Sequence, residues 1–472
     1  MAPPPARDQR HGPAVRDLLR LARLGDIDGV RDQIARVSGC ANPVQLTGYS
    51  ATLDPATGEA LHVFTSDDEP TGRLLIPCGN RRASRCPSCS RLYAADTYHL
   101  IRAGLTGGKT VPDTVRDHPR VFLTLTAPSF GPVHHRPTNR PCRCGQHHHP
   151  DAPELGTPLH PPTYDYTGAV LWNAHASALW ARFMTHLRRA VAATLGLSQR
   201  ALRTHLRISF AKVAEYQKRG LVHFHAVLRL DGPDGSATPP PPPATAAVLI
   251  HAVREAADRA ALTLDSHAVG ERTIRWGPQL DVREITAFGH RTELTDRAVA
   301  GYVAKYATKG AEASGTVDHP LYCPTCRGTG THGTTPCRPC DGTGEGIPLR
   351  HLASRTHTRQ MVRTCWELGR LTEFTDLRLW KWAHMLGFRG HFSTRSRRYS
   401  TTLTALRDTR RAWRTTQAHT RLNHPTPTTL ITESSWSYLG TGYTPAEHLL
   451  ATTIRHEHSL ALQFHHEGGP AA

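Results

Sequence analysis

Two histidines with one residue between them are the first side chains that could do chemistry. His223 and His225 flank Phe224 in an apolar segment, and Glu215 precedes them across a polar turn at residues 217–220 that ends in glycine. Apolar segments joined by such a turn predict a β-hairpin. Because side chains alternate along a strand, both imidazoles would lie on one face and Phe224 on the other. With the carboxylate of Glu215 they could bind a divalent metal; the alternative is a pair of surface histidines in a histidine-rich chain.

Two tyrosines further along the chain could act as nucleophiles. Thr295 and Asp296 are typical helix-start residues, and Gly310 is a typical stop. The helix between them would carry tyrosines at i and i+4, each followed three residues later by a lysine: Tyr302, Lys305, Tyr306 and Lys309. A tyrosine with its free pKa of about 10 is a poor nucleophile, so it needs a nearby cation or a metal-polarised electrophile. The alternative is an amphipathic core helix whose tyrosines only pack.

Taken together, the segments resemble a known enzyme class. The order His-Phe-His and then Tyr-Val-Ala-Lys-Tyr, with Tyr302 77 positions after His225 (302 − 225), resembles the HUH (His-hydrophobic-His) endonucleases that start rolling-circle replication. The segment Phe-Leu-Thr-Leu-Thr at 122–126 resembles the first motif of that class. The spacing from Glu215 to His223 is similar to that of two-tyrosine phage and plasmid initiators. The cysteine pattern and the Cys-Trp-Glu-Leu-Gly segment at 365–369 resemble replication initiators of actinobacterial plasmids and integrative elements.

The resemblance implies a fold and a reaction. The fold would be α+β, with a central antiparallel sheet, flanking helices, the histidine strand in the centre and the tyrosine helix beside it. His223, His225 and Glu215 would hold Mg²⁺ or Mn²⁺, and Tyr302 or Tyr306 would attack a DNA phosphate, leaving a 5′-phosphotyrosine and a free 3′-OH primer. Tyr302 is expected to attack first and the second tyrosine to act after one round. Lys305 and Lys309 would stabilise the phosphoryl charge or lower a tyrosine pKa.

Two other functions fit parts of this pattern. A conjugative relaxase or a single-strand transposase would use the same chemistry, but relaxases of this class usually carry the tyrosine before the histidines, and transposases are smaller, usually with one tyrosine. A non-catalytic, zinc-containing DNA-binding regulator would keep His223 and His225 for structure only. Replacement of both tyrosines by phenylalanine separates the regulator from the enzymes.

Composition indicates a polyanionic partner. The 472 residues are enough for two or three domains and carry a formal charge of +18, mostly from arginine, whose planar guanidinium suits phosphate. We expect salt-sensitive binding to origin DNA, single-stranded or in a cruciform. No apolar run is long enough for a membrane span, which favours a cytoplasmic protein without a membrane partner. The sequence has no Walker-type phosphate loop, so helicase and polymerase would come from the host.

The eleven cysteines are mostly in close pairs, which in such a protein predicts zinc rather than disulfides. The first predicted tetrad consists of Cys40, Cys78, Cys86 and Cys89. Its alternative is a set of free buried thiols. The second comes from two Cys-x-x-Cys-x-Gly-x-Gly units and consists of Cys323, Cys326, Cys337 and Cys340. This repeat resembles the cysteine repeats of DnaJ-type chaperones, as a zinc hairpin only.

A third cysteine group has an irregular pattern. Cys142 and Cys144 are followed by three consecutive histidines, His147, His148 and His149. The group predicts a further zinc site or a solvated loop equally well.

The chain divides into six segments by composition. The prediction is a disordered tail at 1–12, a helical zinc-knuckle region at 13–110, a nickase domain at 111–310 with a Pro/His-rich insertion at 131–162, a zinc hairpin at 311–350, a basic aromatic DNA-binding region at 351–415 and a C-terminal tail at 416–472. In the fifth segment Trp380, Trp382 and Tyr399 stand among arginines, which suits stacking on unpaired bases. A small basic domain with a tryptophan core is the alternative.

Overall fold

The computed structural model describes residues 12–23, 26–54, 57–137, 139–286, 295–421 and 431–467. Apart from Gly12, the predicted N-terminal tail lies outside these residues. The chain forms two compact units, one from residues 1–96 and 403–472 and the other from residues 97–402. The six segments predicted above describe roles rather than packing and stay a prediction. Among the described helices, none has the length and apolar content needed to cross a membrane.

The described residues form both helices and strands. The helices are α1 (Pro13–Arg23), α2 (Ile27–Arg36), α3 (Pro87–Thr106), α4 (Tyr166–Thr194), α5 (Gln199–His205), α6 (Ala246–Arg259), α7 (Asp296–Ala307), α8 (Thr356–Arg370), α9 (Leu403–Arg421) and α10 (Pro445–Glu467). The strands are β1 (Val44–Leu53), β2 (Ala60–Thr65), β3 (Leu74–Ile76), β4 (Arg120–Leu125), β5 (Arg207–Tyr216), β6 (Val222–Asp231), β7 (Ala261–Leu264), β8 (Arg272–Arg275), β9 (Leu280–Glu284), β10 (Thr331–His332), β11 (Thr335–Pro336), β12 (Ser393–Arg395) and β13 (Ile431–Thr441).

The larger unit is built on a five-stranded antiparallel sheet. Its order is β12-β5-β6-β4-β9, so the histidine strand β6 is the middle strand. Every neighbouring pair in this sheet is antiparallel. The predicted α+β fold with a central antiparallel sheet and flanking helices is confirmed.

The hairpin of β5 and β6 forms where the sequence predicts it. Gly220 has φ +77° at the turn, and a Cβ there would lie 2.8 Å from the sulfur of Met361, so glycine suits both the backbone and the space. The register pairs Glu215 with His223 directly across the two strands. Directly opposed residues share one face of a sheet, so the hairpin brings these side chains together.

The two faces of this sheet have different partners. Phe224 is fully buried and contacts Trp180 of α4, with ring centroids 6.0 Å apart, so α4 covers the face opposite the histidines. On the histidine side α7 packs against β5. One face therefore packs on the apolar core, and the other carries the two histidines and Glu215.

The smaller unit joins the two ends of the chain in one sheet. β13 pairs antiparallel with β1 along its length, and β2 and β3 pair with β1 on the other side. Its core packs α2 against α10 through Val30, Ile34, Ala451 and Ile454, together with Cys40, Cys86 and Cys89. The sequence does not predict β13, because its side chains are mostly exposed and show no apolar alternation.

Helix α6 ends at Arg259, and the strand β7 follows at once and pairs with β8. One sequence expectation differs from the structure. Tyr399 is fully buried in the larger unit, so its ring is not available to stack on bases. In the same segment β12 forms the edge of the central sheet next to β5.

Candidate active site

Three potential metal ligands converge on the central strand. The Nε2 atoms of His223 and His225 each lie 3.0 Å from Oε2 of Glu215, and they lie 3.1 Å from one another. His225 is buried, and the side chains of His223 and Glu215 are 16% and 18% exposed, so the group is open to a ligand on one side only. The structure therefore brings together the three residues that the sequence predicts as metal ligands.

The spacing of these atoms fits a bound divalent cation. A ligand distance of about 2.1 Å in octahedral geometry places neighbouring ligand atoms about 3.0 Å apart, whereas tetrahedral geometry would give about 3.4 Å. The three observed distances match one face of an octahedron. Hydrogen bonds alone do not explain these three short distances. Two imidazole N–H groups that both donate to Glu215 would repel each other at a nitrogen–nitrogen distance of 3.1 Å.

The charge of the site agrees with this interpretation. Burial would raise the pKa of Glu215, but the hydrogen bonds and charges of His223 and His225 outweigh it and lower the pKa to about 2. Burial lowers the pKa of His225, although its contact with Glu215 acts the other way. The lowered pKa keeps Glu215 ionised, which is the form in which a carboxylate binds metals.

A threonine on the neighbouring strand fixes the orientation of His225. Oγ1 of Thr124 in β4 lies 3.0 Å from Nδ1 of His225, its direct partner in the sheet register. If Nδ1–H donates to this oxygen, Nε2 keeps its lone pair for the metal. Phe122 stacks on the same imidazole at a centroid distance of 5.8 Å. The sequence marks this strand as a motif but does not show what Thr124 contacts.

The tyrosine helix faces the metal ligands. Oη of Tyr302 lies 3.0 Å from Nε2 of His225 and 3.4 Å from Oε2 of Glu215. The ring of Tyr306 lies 4.6 Å from that of Tyr302 and 5.9 Å from that of His225, between centroids. Helix α7 begins where Thr295 caps it, its hydroxyl accepting a hydrogen bond from the backbone N–H of Ala298. Both tyrosines predicted from the sequence therefore lie at the histidine pair.

The two lysines of this helix lie beside Tyr306. Nζ of Lys305 and of Lys309 lie 5.6 Å and 4.8 Å from the ring centroid of Tyr306. Burial and the negative charge of Glu215 raise the pKa of Tyr302 and, less strongly, that of Tyr306. Both phenols are therefore protonated at neutral pH when no further positive charge is present.

An ion pair anchors the start of the tyrosine helix. Asp296, the first residue of α7, pairs with the guanidinium of Arg120 at the start of β4, with an Nη1–Oδ1 distance of 3.1 Å. The Arg120 side chain is 2% exposed and also donates to the carbonyl of Leu105. The anchor ties α7 to the strand that carries Thr124. It is not visible in the sequence, because the two residues are 176 positions apart.

The first cysteine tetrad assembles in the smaller unit. The Sγ atom of Cys40 lies 3.8 Å from that of Cys86 and 3.7 Å from that of Cys89, and Cys78 lies 3.7 Å from Cys89. A Zn–S distance of about 2.3 Å in a tetrahedron predicts sulfur atoms about 3.8 Å apart. The backbone N–H groups of Cys78 and Ala41 point at these sulfur atoms. The tetrad could therefore hold zinc.

The second cysteine tetrad closes the loop after α7. The sulfur ligands of Cys323, Cys326, Cys337 and Cys340 lie within 4.8 Å of one another. The backbone N–H groups of Gly330 and Gly344 each donate to a cysteine sulfur, of Cys326 and Cys340 respectively. Those glycines belong to the repeated motif, so their role follows from the sequence pattern. This tetrad could hold zinc as well.

Known replication proteins match the chain along most of its length. The family described as RepSA: Replication initiator protein, pSAM2, matches residues 26–456. A protein of Streptomyces ambofaciens named replication initiator protein is 53% identical over 445 residues, which cover 93% of this chain and 92% of that protein. Both descriptions define one class, the replication initiators. The chain belongs to the RepSA family of replication initiator proteins. No solved structure matches it.

Proposed function

We propose that this protein starts rolling-circle replication of a plasmid or integrative element by nicking one DNA strand at the origin and later rejoining it. It would act as an HUH-type endonuclease through tyrosine transesterification. The observation that carries the proposal is the position of the Tyr302 hydroxyl, 3.0 Å from His225 and 3.4 Å from Glu215. A nucleophile beside three metal ligands is an arrangement suited to phosphoryl transfer.

The metal would be Mg²⁺ or Mn²⁺ held by Glu215, His223 and His225. When bound, it would polarise the scissile phosphate and stabilise the charge that develops on it. Imidazole ligands favour transition metals, so Mn²⁺ is expected to bind more tightly than Mg²⁺ in vitro. Without a metal, burial and the charge of Glu215 raise the pKa of both tyrosines, so neither phenol ionises at neutral pH. We therefore expect no reaction without a divalent cation.

The residues of the chain account for each bond change. The tyrosine oxygen forms a bond to phosphorus while the bond from phosphorus to the 3′ oxygen breaks. The phenol proton would leave to the carboxylate of Glu215, because the Nε2 lone pair of His225 is used for the metal. The departing 3′ oxygen takes up a proton and becomes the 3′-OH that primes synthesis. The 5′ end remains on the protein as a phosphotyrosine.

The contacts favour different roles for the two tyrosines. Tyr302 touches the metal ligands and is the better candidate for the first attack. Tyr306 lies with its ring 4.6 Å from that of Tyr302, close enough to receive the strand after one round. Lys305 and Lys309 would stabilise the phenolate or phosphate at Tyr306, because their ammonium groups lie over that ring.

The proposed partners follow from the reaction. The substrate is origin DNA in single-stranded or cruciform form, and the charge of +18 suits its phosphates. Strand separation and synthesis would be supplied by a host helicase and polymerase, which places the reaction in the cytoplasm. The two cysteine tetrads would hold structural Zn²⁺.

The deciding experiment detects a covalent protein–DNA adduct. Purified protein is incubated with Mn²⁺ and single-stranded DNA tiling its own replicon, then run on a denaturing gel. We compare the wild type with Tyr302→Phe, Tyr306→Phe and the double variant; Tyr438→Phe, an exposed tyrosine of the smaller unit, is the matched control.

We expect an adduct on one strand in the wild type and in the Tyr438 control, strongly reduced in Tyr302→Phe and absent in the double variant and without metal. Tight, salt-dependent binding with no adduct on any part of the replicon would reject the nickase. That result would leave a zinc-containing DNA-binding regulator as the function.

A further inference from the structure

The insertion at residues 131–162 is long and largely irregular. In its described part, every residue except 138, there is one short 3₁₀ turn at Pro161–Thr163 and one isolated bridge between Val133 and Pro158. Irregular loops longer than about 15 residues are uncommon in compact proteins and usually need their own means of order. The sequence alone leaves open whether this one is a zinc site or a solvated loop.

Backbone pairing brings the ends of the insertion together. The N–H of His134 donates to the carbonyl of Thr157, and the N–H of Gly156 donates to His134, at 2.8 Å and 2.9 Å. A tight turn follows in which the N–H of Cys142 donates to the carbonyl of Gln146. These bonds place His134 beside a turn that carries two cysteines and a histidine run.

Four ligand atoms meet at that turn. Nδ1 of His134 lies 3.2 Å from Nε2 of His148, and Sγ of Cys144 lies 3.3 Å from the same nitrogen. With the sulfur of Cys142, all four ligand atoms lie within 4.8 Å of one another. One imidazole nitrogen cannot serve as the single hydrogen-bond partner of both neighbours, because it carries either one proton or one lone pair.

These distances fit a tetrahedral metal. Zn–N distances of about 2.05 Å and Zn–S distances of about 2.3 Å predict edges of about 3.3 Å between nitrogens and about 3.6 Å between nitrogen and sulfur. The observed nitrogen–nitrogen distance of 3.2 Å and sulfur–nitrogen distance of 3.3 Å are close to these two values. Thiolate with imidazole ligands select zinc over the hard cations Mg²⁺ and Mn²⁺.

We propose that His134, Cys142, Cys144 and His148 bind one Zn²⁺ that orders the insertion. The site is separate from the two four-cysteine tetrads and from the Glu215–His223–His225 group. It does not depend on the nickase proposal. In the sequence, the histidines that stand out as ligands are those after Cys144. His134 lies ten positions before Cys144, and the fold brings it to the site as the fourth ligand.

The zinc site would hold the insertion against the tip of the β5–β6 hairpin. Nζ of Lys218, in the hairpin turn, donates to the carbonyl of Pro150 at 2.6 Å. Gly156, with φ +87°, approaches so closely that a Cβ there would lie 2.3 Å from the backbone of Lys218. Glu215 and His223 are at the base of this turn. The zinc-ordered insertion therefore packs on the hairpin that carries all three candidate metal ligands, Glu215, His223 and His225.

Zinc content of the intact chain tests the site. Protein dialysed against zinc-free buffer is analysed by elemental mass spectrometry for the wild type, Cys144→Ser and Cys142→Ser/Cys144→Ser. Cys144→His, which restores a zinc ligand, is the rescue variant. His147→Ala/His149→Ala is the matched control, because both residues are exposed neighbours outside the tetrad. Limited trypsin digestion reports the order of the insertion through cleavage after Arg143, because Arg140 precedes a proline and is resistant to trypsin.

We expect the serine variants to lose one zinc per chain relative to the wild type, with faster cleavage after Arg143, while the rescue and control variants keep wild-type zinc. Unchanged zinc in the double serine variant overturns the proposal. If the serine variants lose more than one zinc per chain, the zinc content of Cys144→His distinguishes the explanations. Wild-type zinc content in Cys144→His supports the site, and a reduced zinc content in that variant overturns it.

Discussion

At the scale of single residues, Thr124 determines how His225 presents its ring. Replacing it with valine keeps the shape and removes the hydroxyl that contacts Nδ1. Loss of such a supporting contact typically lowers metal affinity about 10- to 100-fold. We expect Thr124→Val to weaken Mn²⁺ binding by that factor in isothermal titration calorimetry. Thr124→Ser keeps the hydroxyl and should bind like the wild type; equal affinity in the valine variant would show that Thr124 does not position His225.

Lys212 is a second residue whose environment matters. It is buried, with Nζ 3.7 Å from the ring centroid of Phe224 and 5.5 Å from that of Trp180. Burial lowers its pKa to about 7 from 10.5 in the unfolded chain. Below pH 7 both states hold the proton, and the folded state bears the cost of a buried charge. Between pH 7 and 10.5 only the unfolded chain binds the proton, so the free energy of unfolding rises with pH.

Lys212→Met removes this cost. We expect it to raise the free energy of unfolding by roughly 2–4 kcal/mol at pH 6, because an apolar side chain of similar length replaces a buried cation. The gain should shrink as pH approaches 10. Urea unfolding followed by tryptophan fluorescence at pH 6, 8 and 9.5 measures it. A gain independent of pH would mean that Lys212 keeps its proton in the folded protein over this whole pH range, so that folding does not lower its pKa.

At the scale of elements, the reaction requires a fixed distance between the hairpin with the metal ligands and the helix with the tyrosines. The hairpin is rigid because β6 is the middle strand of the sheet. Helix α7 is joined to the sheet by the pair between Arg120 and Asp296. The position of the Tyr302 hydroxyl therefore depends on a contact at the other end of its helix.

Asp296→Asn tests this anchor. It keeps the size of the side chain and leaves the buried guanidinium of Arg120 without its counter-charge, which typically costs about 3–5 kcal/mol. We expect a lower melting temperature and slower adduct formation, with Mn²⁺ affinity unchanged. Glu255→Gln, which breaks an exposed pair with Arg259 on α6, should change stability by less than about 0.5 kcal/mol. Adduct formation at the wild-type rate in Asp296→Asn would show that the anchor serves stability alone.

At the scale of the whole molecule, each unit has its own core. Cys40, Cys86 and Cys89 lie in the core of the smaller unit, so a metal there would hold its helices together. The Glu215–His223–His225 group lies in the larger unit. Loss of zinc from the first tetrad should therefore affect one unit more than the other.

Cys86→Ser provides the test. We expect it to lose one zinc per chain and to make residues 26–96 sensitive to protease, while Mn²⁺ still binds the larger unit. Cys365→Ala is the control, because Cys365 is a buried cysteine outside the metal-binding groups found among the described residues. Zinc content and limited proteolysis are measured on the same samples. Loss of Mn²⁺ binding in Cys86→Ser would contradict independent units.

The sequence by itself determined the local parts of this protein. Strand alternation and the glycine turn predicted that His223 and His225 share a face of a hairpin, and the i, i+4 spacing predicted that Tyr302 and Tyr306 share a face of a helix. Both follow from backbone geometry within a few residues. The Cys-x-x-Cys pairs could be identified from the sequence because their spacing is also local.

Only the tertiary structure decided which distant residues meet. Thr124 with His225, Arg120 with Asp296, and His134 with Cys144 are contacts that no periodic pattern encodes. The pairing of β13 with β1, and the edge position of β12, likewise depend on strand register across long stretches of chain. Such contacts form because many weak interactions across the core settle one arrangement, and local spacing carries no record of them.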